Sequence, residues 1–229
     1  MFGILPGMAE VVTVSPADTR RALLALGRIA NRCAPWAHPI AARIRRGTLE
    51  LTAYSPAIAA RVALPLLDEH GAPFQTARVP GLGSRVVPAR RVLLDPDLAR
   101  RAALDLASLR DRRPVTAGPL GLHIGSVLLP LAPALPDAIR CHDAVALLFT
   151  APPAAAPDPA DDGSLEVAGE LFGDLGDLLP PLTSVRIDRV AKVNDGAGFT
   201  RRPLRFRAPG VTVVVQPSAR VVAGAPVPA

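Results

Sequence analysis

The residues of this sequence that could support acid-base chemistry or metal binding are its histidines and its paired acidic residues. The four histidines are scattered along the chain: His38, His70, His123 and His142. Their spacing does not suit a metal ion, and none lies beside a plausible nucleophile. Asp95 and Asp97 stand at the start of a predicted helix, where carboxylates favour the helix dipole, and Asp161 and Asp162 lie in a Pro/Ala-rich stretch. We therefore expect structural rather than catalytic roles for these side chains.

Other signatures of catalysis or cofactor binding are also missing from the sequence. The glycine-rich stretch at residues 81–84 lacks the lysine of a phosphate-binding loop, and no Gly-x-Ser-x-Gly sequence occurs. The two cysteines, Cys33 and Cys141, have no Cys-x-x-Cys spacing, which argues against a disulfide framework or a zinc site. We expect a protein that is not an enzyme, that has no metal and no cofactor, and that works in the reducing cytoplasm.

The charge of the chain is unevenly distributed. Residues 1–135 carry 17 Arg against 9 acidic residues, a balance of +8, whereas residues 136–229 carry 9 basic and 11 acidic residues, a balance of −2. A polyanion should therefore bind the first half, although a solvated basic surface without a ligand is an equally good interpretation. The opening residues, MFGILPGMAE, are too short an apolar run to span a membrane, so no membrane association is expected, and Met1 and Met8 are both candidate starts.

Two amphipathic helices are predicted in the basic half. Ser15 followed by Pro16 marks the start of a helix over residues 16–32. Its apolar face combines Ala22, Leu23, Leu26, Ile29 and Ala30. Its opposite face carries Arg21, Arg28 and Arg32, with Arg20 at the edge of that face. A second helix over residues 96–109 has a predicted core face of Leu98, Ala102, Leu106 and Leu109. Arg100 and Arg101 point away from that face.

The helices alternate with strands in a repeated order. Each copy is a strand, a helix and then several strands, and the copies cover residues 11–64, 85–131 and 164–215. The predicted strands include residues 40–44, 49–54, 58–64, 85–88, 120–131, 164–167 and 211–215. Residues 137–149 are ambiguous between a helix and a buried strand. The repeat predicts a pseudo-repeated α+β fold in which the helices lie on one side of antiparallel sheets. We expect two domains, residues 1–135 and residues 136–229, the second containing a Pro/Ala loop at residues 151–163.

Four local stretches resemble one family. GTLELTAYSPAIAARVAL (residues 47–64) is similar to a first-domain hairpin of the bacterial DNA sliding clamps, the DNA polymerase III beta subunits, and Pro39-Ile40 matches the start of the preceding strand. VPAR (residues 87–90) resembles the sequence that introduces the second helix, and residues 201–220 resemble the final hairpin. The resemblance covers most of residues 11–135 and roughly residues 164–220.

The resemblance implies a DNA clamp subunit, a processivity factor of DNA replication that assembles with copies of itself into a ring. Helices lining the ring would contact the backbone of duplex DNA without sequence specificity, through Arg20, Arg21, Arg28, Arg32, Arg100 and Arg101. Such a protein is cytoplasmic and nucleoid-associated. Bacterial clamps have three domains and this chain can hold at most two, so a ring would need a larger number of subunits.

The resemblance also implies a pocket for clamp-binding peptides of polymerase or repair proteins. By position, the pocket residues are Val215, Gln216, Pro217 and Ser218, with Gln216 and Ser218 in place of the family's methionines. The predicted third helix, residues 169–179, carries Glu170, Asp174 and Asp177 on one face, which would repel DNA. The alternative function is therefore a clamp-derived protein-interaction or assembly module that no longer binds DNA.

Overall fold

A computed structural model of the chain describes residues 12–32, 38–45, 47–68, 71–72, 91–133, 137–154, 173, 176–179, 184–190 and 203–215. The first repeated unit contains β1 (Thr13–Val14), α1 (Pro16–Asn31), β2 (Ile40–Arg45), β3 (Thr48–Tyr54) and β4 (Ile58–Pro65). The second contains β5 (Arg91–Leu94), α2 (Pro96–Asp105) with a 3-10 turn (Leu106–Ser108), β6 (Arg113–Gly118), β7 (Gly121–Ile124) and β8 (Val127–Pro130). The remaining elements are α3 (Ala138–Thr150), β9 (Arg186–Arg189), β10 (Leu204–Ala208) and β11 (Val211–Val215).

Both long helices of the basic half begin at the predicted capping residues. The Ser15 side chain accepts a hydrogen bond from the backbone N–H of Asp18 at 3.3 Å, and Asp95 accepts one from Leu98 at 2.9 Å. A proline follows each cap, where its fixed φ and missing N–H suit the first helical turn. These local signals explain why the starts of α1 and α2 are readable from sequence.

The two units exchange their first strands. β1 pairs antiparallel with β6 of the second unit, and β5 pairs antiparallel with β2 of the first. Single bridges also join each exchanged strand to the end of its own unit, Thr13 to Leu67 and Leu94 to Leu131. The first half therefore has an internal pseudo-twofold arrangement, and neither unit completes its sheet without the other.

The last three strands extend the sheet of the first unit. β11 pairs antiparallel with β4 over the full length of β11, giving a seven-stranded sheet of order β5-β2-β3-β4-β11-β10-β9 beside a four-stranded sheet of order β1-β6-β7-β8. The α+β class with antiparallel sheets is thus confirmed. The expected domain boundary between residues 135 and 136 stays a prediction. Hydrogen bonds of the larger sheet join β4 and β11, which lie on either side of that boundary in the sequence.

Helices α1 and α2 pack against each other in opposite directions on one side of the sheets. Asn31 near the end of α1 donates to the Asp97 carboxylate at the start of α2 at 2.8 Å, and a side chain at Gly27 would collide with Arg100. The predicted apolar face of α1 is confirmed, because all five of its residues are buried: Ala22, Leu23, Leu26, Ile29 and Ala30.

The predicted core face of α2 is partly wrong. Ala102 and Leu106 are buried, but Leu98 is 41% exposed, and Ala99 and Ala103 are buried instead. Small residues at Ala99 and Ala103 allow the two helix backbones to approach closely, which rotates the buried face of α2 away from Leu98. Helical periodicity alone favours the larger leucine, whereas the contact with α1 selects the alanines.

The ambiguous segment after the second unit is a helix, α3, and it lies on the opposite face of the seven-stranded sheet. Along β3, Leu49 and Leu51 belong to the core with α1, whereas Tyr54 packs with Val145 and Phe149 of α3. Because side chains alternate between the faces of a strand, α1 and α3 enclose the sheet from two sides. The expectation of helices on one side holds for α1 and α2 but not for α3.

Other strand boundaries differ locally from the sequence expectation. The predicted strand at residues 120–131 is two strands, β7 and β8, joined by a turn at Gly125 with φ of 59°. The strands expected at residues 85–88 and 164–167 lie outside the described residues. Of the third predicted helix, residues 173 and 176–179 are described; residues 173 and 176–178 are helical and residue 179 is not.

Candidate functional site

All six arginines assigned to nucleic-acid contact lie on or directly after α1 and α2. Arg21, Arg28, Arg32, Arg100 and Arg101 are exposed, and Arg20 is partly buried with no hydrogen-bond partner for its buried Nε atom. The buried faces of the two helices pack on the sheets, so these arginines share the solvent side of the helix pair. The structure therefore brings the predicted basic residues together on one surface, which we call the α1–α2 surface.

Carboxylates partly neutralise the α1–α2 surface. Arg21 pairs with Asp18 at 2.5 Å, and both side chains are about half exposed. Arg28 pairs with Asp177, which comes from the predicted acidic helix of the third unit. Leu178, the next residue, is buried in the main core, so this acidic segment is anchored beside α1. Glu170 and Asp174 lie outside the described residues.

The predicted peptide pocket is described only at its first residue. Val215 is fully buried in the main core at the end of β11, where its backbone is opposite Ile58 of β4 and Leu204 of β10. Its side chain therefore packs inside the protein. Gln216, Pro217 and Ser218 lie outside the described residues.

Two histidines that the sequence separates by about a hundred residues meet at one tyrosine. His38 stacks on the Tyr54 ring with centroids 4.4 Å apart and lies 3.1 Å from the Tyr54 hydroxyl through Nδ1. His142 meets the Tyr54 ring edge-on, with centroids 5.0 Å apart. Burial lowers the pKa of both histidines, and that of His142 falls to about 4.

The sequence gives no signal for this cluster, because α3 brings His142 to it. His142 Nε2 lies 2.9 Å from the Pro39 carbonyl oxygen, which can only accept, so Nε2 carries the proton. The neutral ring is thus held in one tautomer.

Among the described residues, no group of three or more His, Cys, Asp or Glu side chains is arranged to hold a metal ion.

Structural comparison identifies the architecture behind these surfaces. The chain is similar to the DNA polymerase III subunit beta of Pseudomonas aeruginosa, with a TM-score of 0.51 and 11% identity over 95% of this chain and 69% of that protein. The DNA polymerase sliding clamp of Bacillus subtilis has a TM-score of 0.53 and 8% identity, over 95% of this chain and 66% of that protein. The sliding clamp of Caulobacter crescentus has a TM-score of 0.51 and 13% identity, over 95% of this chain and 68% of that protein. The chain has the fold of the bacterial sliding clamps.

Only the architecture supports this likeness. Comparisons with protein-family models and with curated protein sequences gave no match. The chain spans about two thirds of the length of the clamps to which it is similar. The resemblance that four short stretches indicated is therefore confirmed as a shared fold, reached with 8–13% identical residues.

In this version of the sliding-clamp fold, a buried arginine holds α3 against the sheet. Arg205 on β10 is fully buried, and its Nη1 atom donates to the carbonyl oxygens of Leu148, Phe149 and Ala151 at 3.1, 3.3 and 2.7 Å. Its Nε atom donates to Asp188 Oδ1 at 2.8 Å. The sequence expectation missed this role, since arginine is seldom fully buried.

Among the described residues, no helix has both the length and the apolar character needed to cross a membrane.

Proposed function

We propose that this protein is a clamp-like tethering factor that associates with the backbone of duplex DNA through the α1–α2 surface. The observation that carries the proposal is the gathering of six arginines on the solvent side of one helix pair, within the fold of the sliding clamps. Guanidinium groups form charge-assisted hydrogen bonds with phosphate oxygens, and such contacts read no base sequence. The role is that of a scaffold in DNA replication, without a catalytic step or a cofactor.

Assembly follows from the same proposal. We also propose that the protein assembles with copies of itself into a homo-oligomer, as the resemblance to the clamps implies. We place the division between its two domains at residues 135 and 136, and its working site in the cytoplasm at the nucleoid. Clamp-binding peptides of polymerase or repair proteins would dock near residues 215–218.

The binding test compares two pairs of arginines on opposite sides of the larger sheet. Arg100→Ala with Arg101→Ala removes two cations of the α1–α2 surface, and Arg140→Ala with Arg186→Ala removes two exposed cations outside it. Fluorescence anisotropy with a labelled duplex, over a salt series, gives the slope of log affinity against log salt. Each lost phosphate contact lowers the steepness of that slope by about 0.9, so the first pair should lower it by about 2 and the control by none. Equal slopes for both variants would contradict DNA binding at this surface.

A second measurement tests encirclement. A ring that surrounds DNA is retained on a closed circle and slides off the ends of a linear duplex of the same sequence. Gel filtration at low protein concentration should therefore recover more protein with the circle than with the linear form. Equal recovery would leave DNA binding intact and would give encirclement no support.

The ion pair between Arg28 and Asp177 favours a second candidate function, a clamp-derived interaction or assembly module that does not bind DNA. Asp177 supplies negative charge beside Arg28, one of the proposed phosphate contacts. If the surface binds DNA, Asp177→Asn should raise DNA affinity, because it removes a competing carboxylate. If the protein is an assembly module, the same change should leave the protein without measurable DNA affinity and should alter its mass in light scattering.

A further inference from the structure

A polar cleft lies between α3 and the face of the seven-stranded sheet that α1 does not cover. Its volume is about 210 Å³. Its charged lining is Arg43 on β2, Glu50 on β3, Arg61 on β4 and Arg91 on β5. The wall from α3 contains Leu147 and Phe149. A cleft of this size holds a single small molecule and is smaller than typical pockets for drug-sized ligands.

Three guanidinium groups meet in this cleft, and only one of them is paired with a carboxylate. Arg43 and Arg91 face each other directly on neighbouring strands, an arrangement of like charges that weakens a sheet. Arg91 pairs with Asp143 of α3 at 2.7 Å. Within the part of the chain that the structure describes, no carboxylate pairs with Arg43 or Arg61. Glu50 also lines the cleft and stands directly opposite Arg43 on β3, so three arginines against Glu50 and Asp143 leave a net charge of +1.

Buried polar atoms at the cleft also lack partners. His142 is 2% exposed and lines the cleft, and its Nδ1 atom is buried without a hydrogen bond. Since Nε2 carries the ring proton, Nδ1 presents a lone pair that needs a donor. The Nε atom of Arg43, a donor, is also buried and unpartnered. Both residues line the cleft, so its walls contain buried polar atoms without protein partners.

An apolar surface stands next to these charges. The Arg61 guanidinium lies over the Phe149 ring, 5.3 Å from its centroid, which fixes the position of the cation. Leu147, on the α3 wall of the cleft, is 53% exposed. A ligand with both an anionic group and an apolar body would contact both kinds of surface.

We propose that this cleft binds a small organic oxyanion, a carboxylate or phosphate carried on an apolar body. The oxyanion would lie between Arg43 and Arg61, whose planar donor groups match its oxygens. The apolar body would lie against Leu147 and Phe149. This site is on the opposite face of the sheet from the α1–α2 surface, so it is independent of the proposed DNA contact.

Three probes test the proposal by isothermal titration calorimetry on the full chain: phenylphosphate, phenylacetate and inorganic phosphate. At least one of the two aryl anions should bind saturably, and the stronger of them identifies the preferred oxyanion. Arg43→Gln and Arg61→Gln should each weaken that binding at least tenfold. Arg140→Gln, on α3 but outside the cleft lining, should leave the affinity unchanged.

Leu147→Ala separates the two parts of the site. It should weaken binding of the aryl anion severalfold and leave inorganic phosphate, which has no apolar body, unaffected. Circular dichroism of every variant establishes that the fold is retained. The proposal is overturned if neither aryl anion binds saturably to the wild type, or if Arg43→Gln and Arg61→Gln, still folded, bind as well as Arg140→Gln.

Discussion

Replacement of Arg205 by Met tests whether one buried guanidinium holds α3 on the sheet. Arg205 satisfies three carbonyl oxygens at and just beyond the end of α3, positions that have no partner within the helix itself. Burial lowers the pKa of Arg205, whereas the hydrogen bond and charge of Asp188 raise it. Asp188 is itself only 10% exposed, so the pair is shielded from water.

The size of the effect follows from what the substitution leaves behind. Arg205→Met leaves the Asp188 carboxylate buried beside Arg207 alone, at 3.1 Å, and leaves three carbonyl groups without their donor. Breaking a buried ion pair from one side costs about 3–5 kcal/mol. Domains are stable by only about 5–15 kcal/mol, so this is a large fraction of the total. Urea unfolding at pH 7 measures the change, and amide hydrogen exchange should show the loss of protection concentrated in α3.

Two further variants make the reasoning refutable. Arg207→Met removes the other partner of Asp188, but the Arg207 side chain is 39% exposed, so it should cost less than about 1 kcal/mol. Arg205→Met combined with Asp188→Leu removes the stranded charge and should recover part of the loss, leaving about 1–3 kcal/mol for the unsatisfied carbonyls. If Arg205→Met costs no more than Arg207→Met, the guanidinium is not what anchors α3.

Three other substitutions have predictable effects on unfolding free energy. Burial lowers the pKa of His142 to about 4, so the stability contributed by the neutral ring is present above pH 6.5 and is lost as the pH falls. Between pH 7 and pH 4, urea titrations should therefore show that the wild type loses about 3 kcal/mol more unfolding free energy than His142→Gln. Gly121→Ala should lower the unfolding free energy by at least about 2 kcal/mol, because φ is 152° and the new Cβ would lie 2.0 Å from a backbone oxygen of β8. Gly118→Ala is the control and should change stability little, because its new Cβ would lie 3.9 Å from the nearest atom. Equal losses in the two variants would contradict this prediction. Ser15→Ala should cost about 1 kcal/mol by removing the cap of α1, and thermal unfolding should show no comparable loss for Ser126→Ala in an exposed turn.

The sequence was most informative where a local rule decides the structure. The Ser-Pro and Asp-Pro pairs located the starts of α1 and α2, and β11 has the predicted bounds, Val211–Val215. Alternation and turn residues also located the meander of the first unit within one or two residues. These features depend on residues only a few positions apart in the chain, so they can be predicted from a single sequence.

Features that depend on distant contacts were missed or misread. The exchange of β1 and β5 between units depends on pairing with strands that are distant in the sequence, so neither strand's own residues predict it. Leu98 was misassigned to the core because the close contact of α1 with α2 selects alanines. The burial of Arg205 and the meeting of His38 with His142 both depend on the position of α3, which periodicity could not settle.

The seven-stranded sheet separates two basic surfaces whose functions can be tested independently. On one face, α1 and α2 present exposed arginines that carboxylates partly offset, an arrangement suited to a mobile, hydrated polyanion. On the other face, Arg43 and Arg61 lie in a confined cleft beside an aromatic ring, which suits a small anion with a defined shape. Shielded charge in a confined site is less sensitive to salt than charge on an open surface. The affinity for duplex DNA should therefore fall steeply across a salt series in which aryl-anion binding changes little, and a common salt dependence would show that both are the same non-specific attraction.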